Sequence, residues 1–169
     1  MFLISVLPVF WTVTVNGTPL KDGVPCSCGR RGCWEAYSSA TALIRMTKEK
    51  LQEVGNTSKM WDMVEGDLDK VSGRTAFAAA REGDKAGQEV VDLYLDYLAS
   101  GVASMINIFQ PEIFSIGGGI SNEGDYLLDL ILDKVHGEQF AYGYIPETKI
   151  CIAQLKNDAG IIGAASLGM

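Results

Sequence analysis

Three of the four cysteines fall within eight residues, in the run Cys26-Ser-Cys28-Gly-Arg-Arg-Gly-Cys33-Trp-Glu35. Thiolates this close can share one soft divalent cation. Gly29 and Gly32 let the backbone curl back, so that all three sulfurs face one point. On zinc, three thiolates leave one tetrahedral position open. A catalytic site keeps water there, whereas a structural knuckle needs a fourth protein ligand. The single histidine, His136, lies far away in sequence. Four cysteines could instead form two disulfides, but Cys26 and Cys28 are too close to pair comfortably with each other. Cys151 sits in the apolar run Lys149-Ile-Cys-Ile-Ala153, as a buried strand residue would. A bound metal is the better account of Cys26, Cys28 and Cys33, and this use of cysteine points to a reducing, cytoplasmic compartment.

Other residues carry weaker chemistry. Gly117-Gly118-Gly119 directly follows an apolar run, and bare backbone amides can approach a phosphate there. A tight turn explains the same glycines, and no Walker A or dinucleotide fingerprint surrounds them. Glu35 heads a helical pattern, where an acid favours the helix dipole. It could equally be a carboxylate held in place by the metal loop to grip a ligand hydroxyl. Asp158 suits the N-cap of a last helix better than a catalytic role. Gly160 and Gly163 suggest close packing or backbone contact with a ligand. His136 fits a solvated cation near a helix C-terminus, and core packing accounts for Trp34 and Tyr37.

The elements that position these groups follow from periodicity. Asn16-Gly17 and Asp22-Gly23 mark turns around short β-rich stretches. Apolar residues at spacings of three and four predict a helix over 35–54, ended by Gly55. A short helix is expected near 58–65, and another from Ser72 to Ala80, stopped by Gly83. Asp84 is a good cap for a long helix over 85–109. The apolar second half of that helix, from Leu98 to Phe109, should be buried. Pro111 breaks it. Residues 112–116 predict a strand buried on both faces. A helix over 125–135, a strand over 149–153 and a small-residue helix over 161–167 complete an α/β pattern.

Composition narrows the class. At 169 residues the chain can bury one sizeable core. A net charge of -7 argues against a nucleic-acid surface. Residues 1–15 form an atypical apolar segment without charge. It lacks the basic start of a signal peptide, is interrupted by Pro8 and is too short to span a bilayer. A core strand is the expected use, or else a stretch that once packed against a missing segment.

Together these motifs resemble the ROK family of bacterial sugar kinases and sugar-responsive repressors. The run Cys-x-Cys-Gly-x-x-Gly-Cys-x-Glu over 26–35 is similar to the family's zinc motif. Asn107-Ile-Phe-Gln-Pro111-Glu-Ile-Phe-Ser-Ile-Gly-Gly-Gly-Ile120-Ser121 resembles its strand and adenosine-side glycine loop, and 157–165 resembles its closing helix. The resemblance covers Asp22 to the end. It implies a C-terminal lobe of the ribonuclease H-like, actin-like ATPase fold over 16–169. That lobe comprises a zinc knuckle (26–33), a helical region (35–109) and an α/β part (112–169). It further implies zinc thiolates at Cys26, Cys28 and Cys33, a sugar-hydroxyl acceptor at Glu35, and nucleotide contacts at Gly117, Gly118 and Gly119.

The departures from the family pattern are as specific. The Asp-x-Gly-Gly-Thr phosphate loop is absent, and so is the Asn-Asp-Ala-Asn motif that carries the general base. Asn157-Asp158-Ala159 matches the latter in letters only. Where the family's Glu-x-Gly-His motif should supply the fourth zinc ligand, the sequence is Pro8-Val-Phe-Trp-Thr-Val-Thr-Val15. A truncated or misread gene could produce this. The expected protein is therefore a fragment of an ATP-dependent hexose kinase with structural zinc, inactive alone and without catalytic residues of its own. ATP and Mg²⁺ enter only in a complete two-lobed enzyme. The alternative is a sugar-binding regulator or the sensor part of a repressor. Expected partners are a small sugar and a second copy of the chain, with no nucleic acid and no membrane.

Overall fold

A computed structural model describes residues 22–154, and the backbone of two short strands at 14–15 and 18–19. Most of the apolar segment 1–15 lies outside the described residues. So does the expected closing helix with Asp158, Gly160 and Gly163. The strands β1 (Thr14–Val15) and β2 (Thr18–Pro19) pair antiparallel with Val15 opposite Thr18, as expected of strands flanking Asn16-Gly17. The chain divides into two compact units, one running to Gly101 and the other starting at Val102.

The first unit is helical. After the cysteine loop come α1 (Glu35–Ser38), α2 (Ala40–Val54), α3 (Lys59–Met63), α4 (Thr75–Arg81) and the start of α5 (Lys85–Phe109). Leu43, Leu51, Met60, Phe77, Tyr94 and Leu95 are almost fully buried and form its core. The single helix expected over 35–54 is two. Ser39 is extended, and its hydroxyl accepts from the Ala42 amide at 3.1 Å, which caps α2. Serine prefers this cap to a helix interior, because its hydroxyl satisfies an amide that the helix leaves unpaired. The Ser38 carbonyl receives the buried Tyr94 hydroxyl at 2.7 Å.

Asp84 joins two of these helices. It caps α5, accepting from the Gly87 amide at 2.7 Å. The same carboxylate accepts from the Ser58 hydroxyl at 3.0 Å and the Lys59 amide at 2.8 Å, at the start of α3. Beside it α4 and α5 pack backbone to backbone. A Cβ at Gly87 would lie 2.9 Å from the Ala79 Cβ and from the Ala80 nitrogen. Only a residue without a side chain fits this crossing.

The second unit is α/β. Strand β3 (Ile113–Ile116) pairs parallel with β4 (Lys149–Ile152), Ile113 opposite Lys149 and Ile116 opposite Ile152. Helix α6 (Asp125–Glu138) connects them, and it buries Leu127, Ile131 and Val135. A parallel pair requires such a crossover. Two expectations fail here. β3 is not buried on both faces, since Ile113 is 56% exposed and Ser115 is exposed. The last turn of α5 is also open, with Ile108 and Phe109 exposed. A sheet's faces are covered by other elements, and among the described residues none covers the face that carries Ile113 and Ser115. Cys151 is half-buried in β4.

Burial alone would raise the Asp84 carboxyl, but the Gly87 and Lys59 amides and the Ser58 hydroxyl outweigh it and hold it below the ordinary value. The folded state thus favours the ionised form. The stabilisation is present above the unfolded pKa of about 3.9 and is lost as pH falls through the lower folded value. Asp84→Ala should cost about 2–4 kcal/mol in urea unfolding, from a lost cap and buried donors left unpaired. Asp84→Asn should flatten the acid limb of the stability curve.

Candidate functional site

The cysteine loop is a folded-back turn. Pro25 bridges to Arg31, the Cys26 amide donates to the Arg30 carbonyl at 2.8 Å, and the Gly32 amide donates to the Val24 carbonyl at 3.0 Å. Gly29 and Gly32 take φ values of +85° and +72°, which other residues reach only with strain. The outcome is convergence. The three sulfurs lie within 4.8 Å of one another, and those of Cys28 and Cys33 are 3.5 Å apart. Thiolates about 2.3 Å from one tetrahedral centre lie about 3.8 Å apart. The trio therefore fits a single cation, and no disulfide joins its members.

Two aromatic residues anchor this loop to α5 and α1. The Val24 amide donates to the Tyr37 hydroxyl at 2.7 Å, and the Tyr37 ring packs on Tyr97 with centroids 4.6 Å apart. The Trp34 indole donates to the Tyr97 carbonyl at 2.9 Å. Its ring lies directly over Gly101, where a Cβ would fall 2.0 Å from Trp34 Cε2. Trp34 and Tyr37 are therefore more than general core packing. The signal for this was a glycine inside an otherwise apolar helix, which marks a close approach.

The thiols are unequal. A hydrogen bond from the Arg30 amide lowers Cys28 to about 7. Burial raises Cys33 to about 11. The two thiols are thus shifted in opposite directions, and each must lose its proton to ligate a cation. Glu35, the first residue of α1, is exposed, and its Oε2 stands 4.0 Å from Cys26 Sγ. The structure thus places Glu35 beside Cys26 and outside the cluster of the three sulfurs.

The glycine loop belongs to the second unit. It leaves the C-terminal end of β3, where ligands of parallel sheets commonly bind. Gly118 has φ +77° and opens a 3₁₀ turn over Gly119–Glu123. The Ser121 hydroxyl, missed in the sequence, is buried and donates to the Gly118 carbonyl at 2.6 Å. Among the described residues other than the chain neighbours, no atom lies within 4 Å of a Cβ placed at Gly118 or Gly119. His136 is not simply solvated: it stacks on Tyr142 with centroids 4.1 Å apart.

A family model described as the ROK family matches residues 12–169. The chain belongs to the ROK family. It is 38% identical to a glucokinase of Thermotoga maritima, over 86% of this chain and 45% of that protein. It is 28% identical to a xylose repressor of Caldicellulosiruptor bescii, over 91% of this chain and 37% of the repressor. Among solved structures, a ROK glucokinase from Streptomyces griseus in complex with glucose and AMPPNP superimposes with a TM-score of 0.78. That match has 33% identity and covers 86% of this chain and 47% of the other. This ROK chain spans about half the length of the curated relatives it matches.

The indole over Gly101 sets a steric test. Gly101→Ala should destabilise the chain by about 1–3 kcal/mol through overpacking. The cost should shrink in a Trp34→Ala background, where the clashing ring is gone. Urea unfolding of the two single variants and the double variant measures this coupling.

Proposed function

We propose that this chain is the zinc- and sugar-binding part of an ATP-dependent hexose kinase of the glucokinase type. The observation that carries this reading is the cysteine trio with Glu35 at its edge, in a chain whose relatives include glucokinases. Cys26, Cys28 and Cys33 would hold structural zinc, a role their soft donors and spacing suit. When bound, the metal supplies a fixed charge and rigidity to the loop. Glu35 would accept a sugar hydroxyl. Gly117, Gly118 and Gly119 would face the nucleotide through bare backbone, at the end of β3. The fold would be the C-terminal lobe of the ribonuclease H-like, actin-like type. Phosphoryl transfer needs an oriented hydroxyl, a base and a clamp on the phosphates. This chain contributes positioning, and the phosphate loop and base would come from another lobe, with ATP and Mg²⁺. A repressor relative supports a second reading, a sugar sensor without turnover.

Calorimetric titration with glucose tests the site. The wild type should bind and Glu35→Gln should not; undiminished binding by the variant would contradict the role of Glu35. A coupled ADP-release assay separates the kinase part from the rest. The chain alone should show no turnover, and rates near the roughly 1–100 s⁻¹ of kinases would overturn its dependence on a second lobe.

Elemental analysis should find one zinc per chain, lost in Cys28→Ser. Zinc retained by that variant would contradict the assigned ligands.

The thiols suit a reducing cytoplasm, and no helix among the described residues is long and apolar enough to cross a membrane. The second unit exposes Ile108, Phe109, Ile113, Phe140 and Tyr144. Pairing of two copies would cover such surface. Light scattering should give a mass near twice the 18.2 kDa chain, and a monomer at micromolar concentration would refute pairing.

A further inference from the structure

We infer that Ser121 and Asn122 are positioning residues: they hold the carbonyls of Gly118 and Gly119 toward the turn that follows, so that the amides of Gly119 and Ile120 are presented to a phosphate of the nucleotide. This rests on the nucleotide reading of the glycine loop. Ser121 is completely buried, at a position where alanine would occupy almost the same space. A buried hydroxyl costs stability unless it is hydrogen-bonded. Here it donates to the Gly118 carbonyl at 2.6 Å, and the Ser121 amide donates to the same oxygen at 3.1 Å. Asn122 is exposed, and its Nδ2 donates to the Gly119 carbonyl at 3.1 Å. Two successive carbonyls of the glycine loop are thus each held by a side chain three residues on.

In a trans peptide the N–H points away from the C=O. With both carbonyls drawn into the turn, the amides of Gly119 and Ile120 point away from it. The 3₁₀ turn makes its first bond with the Ser121 amide, so it uses neither of them. Gly118 has φ +77° and ψ -167°, a region almost confined to glycine. Backbone held in such a region clusters at ligand clamps. Two neighbouring amides that face one way suit an anionic oxygen, as in other phosphate-binding turns. They follow the C-terminal end of β3, the side on which parallel sheets bind ligands. Without the two side chains the loop keeps its glycines, but either carbonyl can turn outward. A carbonyl oxygen set against a phosphate repels it.

The test is nuclear magnetic resonance of the full, nitrogen-labelled chain, titrated with AMPPNP and separately with adenosine. The amide resonances of Gly119 and Ile120 should move with AMPPNP and stay nearly still with adenosine, which has no phosphate. Ser121→Ala should weaken AMPPNP binding about 3–10-fold, the size of one net hydrogen bond, and leave adenosine binding unchanged. Asn122→Ala, at an exposed position, should weaken AMPPNP in the same direction with an unchanged circular dichroism spectrum. It keeps the test intact if Ser121→Ala fails to fold. A merely structural role would weaken both ligands alike, and that result would overturn the inference. AMPPNP affinity unchanged in both variants, or AMPPNP bound without movement of the two amides, would also overturn it and leave the nucleotide reading standing. A wild type that does not bind AMPPNP would overturn both.

Discussion

Each thiol of the 26–33 loop must give up a proton to hold a cation, and burial opposes this most strongly at Cys33. The loop counters with geometry. Two glycines at positive φ and a bridge from Pro25 to Arg31 bring the sulfurs to one point. Each hydrogen bond in such a turn contributes about 1 kcal/mol. Structural zinc contributes about 10–16 kcal/mol in small zinc-folded peptides. The metal would therefore be the larger source of rigidity. The tethers through Trp34 and Tyr37 fix the loop to α5 and to the start of α1, where Glu35 stands.

Around this point the first unit is built of helices locked by few polar contacts. Tyr94 closes the gap between α1 and α2 by donating to the carbonyl of Ser38. Asp84 ties the beginnings of α3 and α5 with one buried carboxylate. Exposed ion pairs such as Lys59 with Glu82 and Lys85 with Glu89 add little beside these, since solvent screens them. The second unit solves a separate problem. Its parallel pair ends at a glycine loop where no described side chain crowds Gly118 or Gly119, with buried Ser121 bracing the turn.

Much of this was legible in the sequence. Asp84 as a cap, α5 across its 25 residues and the β3–α6–β4 order follow from short-range rules of capping and periodicity. The convergence of Cys26, Cys28 and Cys33 was legible for the same reason, as they are neighbours in the chain. The break at Ser39 was hidden because the apolar spacing continues through it, while the local hydroxyl chooses a cap. The exposure of Ile108 and Ile113 was hidden because periodicity says which face is apolar and not what covers it. The clamp of Trp34 on Gly101 joins residues far apart in sequence, and an indole beside an acid looks like ordinary core packing until its partner is known.

The central claim is that a metal-held loop aims Glu35 at a sugar. The most direct measurement is glucose affinity before and after zinc is stripped by a chelator, followed by its return. The account predicts that glucose binding is lost with the metal and restored when zinc is added back. Glucose bound equally well by the zinc-free chain would contradict it.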